Sequence, residues 1–187
     1  MNILVVDNHD SFVYNIVHLL DAFNLANIKV VKNDALDLES VNQFDKIVLS
    51  PGPGLPKDAG IMPLILKEYA ATKSILGICL GHQAIVEHFG GSLKNLQHPL
   101  HGVSSCIQII SDDYLFKGLP EKLETGHYHS WVAVNPLPKM LEITSLDPLG
   151  NVMSFKHNEL DIRGVQYHPE SILTPFGCQM LKNWLKN

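Results

Sequence analysis

The chain has 187 residues, of which 45% are hydrophobic and 18% are charged, and 14 basic against 19 acidic residues give a formal charge of -5. This length and composition predict one globular domain over residues 1–187 and exclude a disordered or fibrous chain. An acidic chain without a run of lysine or arginine is poorly suited to bind nucleic acid or an anionic membrane, so we expect a small-molecule ligand.

The N-terminal segment and the cysteines indicate the compartment. No apolar stretch approaches the roughly 18 residues of a membrane span, and no basic segment precedes the first apolar run, as a signal peptide would require. The three cysteines, Cys79, Cys106 and Cys178, lack the close spacing of a zinc ribbon or a redox motif. An odd number leaves at least one free thiol, which suits a reducing compartment, and we expect a cytoplasmic protein.

The first half of the chain alternates apolar runs with amphipathic stretches. Four short, mostly apolar runs predict buried strands: residues 3–6, 28–31, 46–49 and 74–78. Apolar residues at helical spacing predict one helix after Asp10 or Ser11, either of which could cap it, and another over about residues 60–71. Buried strands separated by helices are typical of βαβ units, so we expect an α/β fold, a doubly wound and mostly parallel sheet with helices on both faces.

The second half has a different character. Five further strands are predicted at residues 103–110, 131–135, 141–147, 152–157 and 162–168. Short turns such as residues 147–151 indicate hairpins, so these strands are expected to extend the sheet in antiparallel fashion. A last helix is predicted over residues 175–185, with Thr174 as its N-cap and Pro175 at its first position.

The segment around Cys79 is the most informative part of the chain. Cys79 is flanked two residues away on each side by Gly77 and Gly81, after an apolar strand and before a helix, which is the cysteine form of the nucleophile elbow. A turn this sharp strains its central residue, and a Cβ at either glycine would collide with neighbouring backbone. Cys79 would then stand at a helix N-terminus, where the dipole favours a thiolate. The competing interpretation is a buried structural cysteine beside two packing glycines.

A thiolate nucleophile needs a base, and ten histidines compete for that role. His168 follows an apolar strand and precedes a proline, which favours an extended backbone, so His168 and Glu170 can point to the same side. Glu170 could then hold one ring nitrogen while the other faces the sulfur, as in a catalytic triad. His82, three residues beyond Cys79, is the rival base.

Acyl chemistry also requires N–H donors for the developing oxyanion. In an elbow, one donor is the backbone N–H after the nucleophile, here that of Leu80. The second is expected from the Pro-Gly loop, residues 50–54 (SPGPG), which follows the third strand at the edge where open α/β sheets bind ligands. An ordinary rigid turn is the alternative interpretation of this loop.

Taken together, these segments resemble the class I, or triad, glutamine amidotransferases. The resemblance runs through almost the whole chain in order: DNHDSF from Asp7, SPGPG from Ser50, GICLGHQ from Gly77, HG from His101, YHS from Tyr128 and QYHPES from Gln166. The opening DNHDSF and the YHS segment are most similar to the small subunits of anthranilate synthase and aminodeoxychorismate synthase. The family implies a flavodoxin-like fold with an antiparallel extension.

The resemblance also implies roles for particular residues. Cys79, His168 and Glu170 would form the triad that hydrolyses glutamine to glutamate and ammonia. The residues expected to hold glutamine or its oxyanion are Gly52, Pro53, Gly54, Leu80, Gln83, Ser130 and Trp131. No cofactor or metal is implied, and a large chorismate-using synthase subunit would be the partner that receives ammonia.

Four residues, at three places in the chain, depart from the family pattern. Val103 stands where His-Gly-Lys is common, Gly126 and His127 stand before Tyr128 where arginine is usual, and Trp131 replaces the usual leucine. Trp131 is expected to act through its backbone, so its change should be harmless. The other two departures leave the triad intact and bear on partner contacts and their regulation.

Other classes of protein fit less well. A receiver or flavodoxin-like binding module needs a phosphorylatable aspartate after the third strand, where this chain has Ser50 and Pro51. An idle interaction subunit would not need all three triad residues. A free-standing amidase or γ-glutamyl hydrolase with the same triad is the principal alternative. The family pattern consumes the whole chain, which has no GxxxxGK[ST] loop for ATP, and this favours a separate ammonia-using subunit.

Overall fold

The computed structural model describes residues 1–187 as one nine-stranded sheet with helices on both faces. The strands are β1 (Asn2–Asp7), β2 (Asn27–Lys32), β3 (Lys46–Leu49), β4 (Ser74–Ile78), β5 (Leu93–Ile109), β6 (Lys122–Ala133), β7 (Leu141–Leu146), β8 (Val152–His157) and β9 (Ile162–Val165). The helices are α1 (Val13–Asp21), α2 (Met62–Tyr69), α3 (Leu80–His88) and α4 (Gly177–Lys186). Short 3-10 turns lie at Glu39–Gln43, Pro56–Asp58 and Tyr114–Phe116.

The strand order is β2-β1-β3-β4-β9-β8-β7-β5-β6. The first five strands in this order run parallel to one another, and every later pairing, from β9 to β8 outward, is antiparallel. The predicted doubly wound sheet with an antiparallel extension is therefore confirmed.

Two apolar layers hold the helices on the sheet. Alternate residues of β1 point to opposite faces, so that Leu4 joins the layer beneath α2 and α3, whereas Ile3 joins the layer beneath α1 and α4. The large side chain of Trp184 is fully buried in the second layer. Because both faces are covered, the central parallel strands β1, β3 and β4 are almost entirely buried, which explains their apolar sequences, whereas the edge strand β2 is only partly buried.

The antiparallel part differs from the prediction in its strand lengths. β5 has 17 residues and begins ten residues before the expected start, and β6 begins at Lys122, nine residues before the strand predicted at 131. The pairing register shifts between His101 and Val103, where Gly102 adopts a φ of +68°. A bulge of this kind interrupts the alternation of a strand, so the sequence pattern alone underestimates its length.

Two predicted helix caps are wrong. Helix α4 begins at Gly177 with Phe176 as its N-cap residue, because the Thr174 hydroxyl is engaged elsewhere: it donates to the carbonyl of His168 at 2.6 Å. Helix α1 begins after Phe12 without a side-chain cap, and the Asp10 carboxylate instead accepts a bond from the Phe12 N–H at 2.8 Å.

The topology places the predicted chemistry at one edge of the sheet. The segments that follow β1, β3, β4 and β9 all leave the sheet at its carboxyl edge, since these four strands are parallel. The predicted strand over 162–168 ends at Val165, and the chain turns there to carry His168 towards Cys79.

None of the four helices has the length and apolar character needed to cross a membrane.

Candidate active site

Cys79 occupies a sharp turn between β4 and α3. Its φ of 52° and ψ of -100° lie where residues with a Cβ rarely occur. Its N–H donates to the carbonyl of Val165 at 2.8 Å, which ties the turn to β9. A Cβ at Gly77 would lie 2.5 Å from the carbonyl carbon of Gly81, and a Cβ at Gly81 would collide with the carbonyl of Leu49. The two glycines are therefore required by the close packing of this turn.

His168 and Glu170 form a buried pair beside the cysteine. His168 Nδ1 lies 2.7 Å from Glu170 Oε1, and the two side chains are 2% and 0% exposed. Burial alone would lower the pKa of His168, but the attraction of the Cys79 sulfur and the Glu170 carboxylate outweighs it and raises that pKa. The second ring nitrogen, Nε2, makes no hydrogen bond of good geometry.

Aromatic rings and backbone bonds fix the position of His168. The ring of Tyr128 lies edge-on at 4.9 Å between centroids, and that of Phe12 at 5.8 Å. The Thr174 hydroxyl, which donates to the His168 carbonyl, also accepts a bond from the N–H of Gly126 at 2.9 Å. The imidazole therefore has little freedom to rotate away from the cysteine.

The Pro-Gly loop packs directly against the elbow. A Cβ at Gly52 would lie 2.5 Å from the Cβ of Asn8 and 2.8 Å from the side chain of Leu80. The buried Asn8 holds the loop through two bonds of 2.9 Å, from its N–H to the Ser50 hydroxyl and from its amide to the Ser50 carbonyl. Leu80 is the first residue of α3, where helix geometry leaves the N–H without an intrahelical partner. The loop thus brings Gly52 next to the proposed oxyanion donor.

Cys79 and His168 line one cleft of about 380 Å³. It is lined by His9, Asp10, Ser11, Phe12, Pro51, Gly52, Pro53, Cys79, His101, Tyr128 and His168. A larger hollow of about 530 Å³, between residues 109 and 121, contains none of the predicted site residues. The smaller cleft is therefore the candidate active site.

Five of the predicted substrate-binding residues lie outside the lining of this cleft: Gly54, Leu80, Gln83, Ser130 and Trp131. The Gln83 amide is buried behind it and donates to the Trp131 carbonyl at 2.9 Å and to the Gln166 side-chain oxygen at 3.1 Å. The Gln166 amide in turn donates to the Cys79 sulfur at 3.6 Å. The Gln83 side chain is therefore linked to the Cys79 sulfur through the Gln166 amide.

His82, the rival base, is a core residue. It is fully buried, its ring lies 4.8 Å from that of Phe155, and burial lowers its pKa to about 3. Neither ring nitrogen has a hydrogen-bond partner. A group this hard to protonate is poorly suited to shuttle protons near neutral pH.

Four contributors to the site were not identified as such from the sequence: Asn8, Phe12, Tyr128 and Gln166. All four belong to segments that carry the family resemblance, and this is the one signal that could have found them. Their roles depend on contacts between segments far apart in the chain, such as the ring of Phe12 against that of Tyr128 at 5.1 Å.

The sequence profile of glutamine amidotransferase class-I matches residues 4–187. The chain belongs to this family. Relatives that it resembles include the aminodeoxychorismate synthase component 2 of Escherichia coli, with 40% identity over 98% of each chain. The anthranilate synthase component 2 of Pseudomonas aeruginosa is 39% identical, over 98% of this chain and 94% of the relative. Among solved structures, a Thermoplasma acidophilum protein assigned to GMP synthase has a TM-score of 0.89 and 27% identity, over 100% of this chain and 92% of that one.

Membership explains why the site has these parts. A class-I amidotransferase hydrolyses the amide of glutamine, and the cleft combines a thiol on a strained elbow with a histidine that a buried carboxylate holds from behind. The unusual Val103 is 41% exposed and pairs across the sheet with the buried His127, which is itself one of the departures from the family pattern.

Proposed function

We propose that this chain, as a single amidotransferase domain over residues 1–187, hydrolyses glutamine at Cys79 and delivers the ammonia to a separate chorismate-using synthase subunit. The observation that carries the proposal is the elbow thiol of Cys79 in one cleft with His168, whose ring is held by the buried Glu170 carboxylate. The raised pKa of His168 favours an imidazolium beside the sulfur, which is the charge state that acyl transfer requires at its start.

In the first half-reaction, the Cys79 sulfur forms a bond to the side-chain carbonyl carbon of glutamine. The oxyanion that develops accepts bonds from the N–H groups of Leu80 and Gly52. His168 Nε2 gives its proton to the departing nitrogen, the C–N bond breaks and ammonia leaves. Glu170 stabilises the imidazolium before this transfer and holds its ring orientation throughout.

In the second half-reaction, the same histidine works in the opposite direction. Neutral His168 takes a proton from water, and the resulting hydroxide forms a bond to the thioester carbon. The C–S bond then breaks, glutamate leaves and Cys79 returns to the thiolate beside a protonated His168. The chemistry uses groups of this chain and water, so the proposal includes no cofactor and no metal.

The relatives support a partner that aminates chorismate. One is component 2 of an aminodeoxychorismate synthase and another is component 2 of an anthranilate synthase, at almost equal identity. The proposed partner is therefore defined by what the two share, a chorismate-using large subunit. Three free cysteines, one of them exposed, support a reducing, cytoplasmic location.

The experiment compares Cys79→Ser with Cys106→Ser, a matched change at a free cysteine in β5. Each variant is purified with a candidate large subunit, and synthesis is assayed with glutamine and, separately, with ammonium. We expect Cys79→Ser to lose glutamine-dependent synthesis while ammonium-dependent synthesis is unchanged, and Cys106→Ser to retain both. Glutaminase activity retained by Cys79→Ser would overturn the assignment of the nucleophile.

A further inference from the structure

His127 and His129 form a pair that the reaction described above does not use. They are two residues apart on β6 and therefore share one face of the strand. Both are buried, with 0% and 6% exposure, and His127 Nδ1 lies 3.1 Å from His129 Nε2.

The surrounding acceptors fix which nitrogens carry protons. His129 Nδ1 lies 3.1 Å from the carbonyl of Trp131, which can only accept, so Nδ1 of His129 must carry a hydrogen. Burial lowers the pKa of His127 to about 4 and that of His129 to about 3, so each ring has one hydrogen at neutral pH. His129 Nε2 is then an acceptor, and its donor must be the Nδ1–H of His127.

The same reasoning extends to the outer end of the pair. His127 Nε2 has no hydrogen and must accept, and the Ser105 hydroxyl lies 2.9 Å away. The Thr125 hydroxyl is also within 3.0 Å, but it donates to the Ser105 carbonyl. Ser105 is therefore the donor, and all the bonds run in one direction from Ser105 to the carbonyl of Trp131.

The inner end of the pair reaches the nucleophile. The Trp131 carbonyl accepts two bonds, one from His129 and one from the Gln83 amide, so both of its lone pairs are used. Gln83 also donates to Gln166, whose amide donates to the sulfur of Cys79. Two bonds on one carbonyl fix the plane of that peptide, and with it the backbone of the segment expected to hold glutamine.

We propose that His127 and His129 are positioning residues for the glutaminase reaction: a neutral pair, each with its proton on Nδ1, that holds the Trp131 carbonyl and the substrate-binding segment beside it. This inference rests on the proposed function, because positioning has a readout only if the chain hydrolyses glutamine. The titratable groups that face the pair are His168 after β9, His82 on α3 and Asp147 in the turn after β7.

The first test is nitrogen NMR of the wild-type chain labelled with ¹⁵N-histidine, from pH 5 to 8. Signals are assigned by their loss in His127→Asn and in His129→Asn. We expect both rings to stay neutral over this range, with the proton on Nδ1 in each. A ring that titrates near the ordinary histidine pKa of about 6.5, or that carries its proton on Nε2, would overturn the proposal. This test does not depend on activity, so it stands apart from any failure of the proposed function.

The second test compares two substitutions of His127 in glutaminase assays with the large subunit. Asn can place an N–H close to the Nδ1 position, whereas Leu cannot donate. We expect His127→Leu to raise KM for glutamine about tenfold, the order of one lost buried hydrogen bond, with kcat changed much less. His127→Asn should remain within about threefold of wild type, as should a control, His98→Leu, at an exposed position of β5.

Equal effects of Asn and Leu on KM would show a merely structural role and would contradict the proposal, as would two unchanged variants. If His127→Leu does not fold, the proton positions measured by NMR on the wild-type chain still decide whether the proposal holds. If the wild-type complex shows no glutaminase activity, the proposed function fails, whereas the NMR result separately decides the state of the pair.

Discussion

Substitution of Glu170 by Gln removes a negative charge beside the proposed base while preserving the size and acceptor oxygen of the side chain. Glu170 Oε1 lies 2.7 Å from His168 Nδ1, and neither side chain is more than 2% exposed, so water cannot replace the lost charge. A hydrogen bond to a charged group contributes about 1.5–3 kcal/mol and a neutral one about 0.5–1.5 kcal/mol. The loss of charge assistance should therefore cost about 1–2 kcal/mol, or roughly 5- to 30-fold in kcat.

The pH dependence provides a second measure of the same change. The attraction of the Cys79 sulfur and the Glu170 carboxylate raises the pKa of His168, so removing one of the two contributions must lower it. The imidazolium is then lost at a lower pH, and the alkaline limb of the glutaminase profile should move to lower pH in Glu170→Gln. A change in the acid limb alone is not expected from this substitution.

Steady-state glutaminase assays of the complex from pH 6 to 10 give both kcat and the position of the alkaline limb, and thermal unfolding checks that the variant is folded. Glu170→Ala, which also removes the acceptor oxygen, should lose more kcat than Glu170→Gln. The role assigned to Glu170 would be refuted if the Gln variant kept kcat within twofold and its alkaline limb did not move.

Three further predictions concern the base, the Pro-Gly loop and acid stability. His168→Ala should lose more glutaminase activity than Glu170→Gln, whereas His82→Leu should keep kcat within about threefold; the opposite ranking would mean that the base is misassigned. Asn8→Ala removes the amide that holds the Pro-Gly loop and should lower kcat about tenfold, measured with ammonium-dependent synthesis as the control. In the folded chain, the pKa values of three buried histidines are lowered to about 3 to 4: His82, His127 and His129. Between pH 6.5 and 4 the unfolded chain therefore binds more protons than the folded chain, and the free energy of unfolding should fall as the pH decreases. For three groups the fall is at most ~4 kcal/mol per pH unit. His168, with its raised pKa, is charged in both the folded and the unfolded chain over this pH range, so it does not contribute to the pH dependence. Urea unfolding at pH 7 and 5.5 should show that His82→Leu loses less stability between the two pH values than the wild type does, and an equal loss would contradict this account.

The sequence predicted the parallel half of the fold well, because its physical signals are local. Buried parallel strands are continuous apolar runs, and the sharp turn at Cys79 needs small residues at fixed spacing, so Gly77 and Gly81 are visible without a structure. Glu170 and His168 are two residues apart, and an extended backbone was enough to suggest their contact, which the structure shows at 2.7 Å.

Features that depend on distant segments could not be read in this way. The hydroxyl of Thr174 has the sequence context of a helix cap, but it bonds the His168 carbonyl because β6 brings Gly126 beside that segment. The long β5 was underestimated because Gly102 interrupts its alternation. In the sequence, His127 and His129 are two ordinary strand histidines. Only the structure shows that they contact each other and that His129 contacts the Trp131 carbonyl, which determines where their protons lie.

Transfer of the amide nitrogen tests the central claim most directly. The purified chain is supplied with glutamine labelled with ¹⁵N in its amide, alone and with each chorismate-using large subunit, and glutamate and aminated product are quantified together. We predict slow hydrolysis by the chain alone, faster hydrolysis in the presence of chorismate and a large subunit, and labelled product in near-equal amount to glutamate. Full activity of the chain alone, with no stable complex with either type of synthase and no label in the product, would contradict the account and identify a free-standing hydrolase.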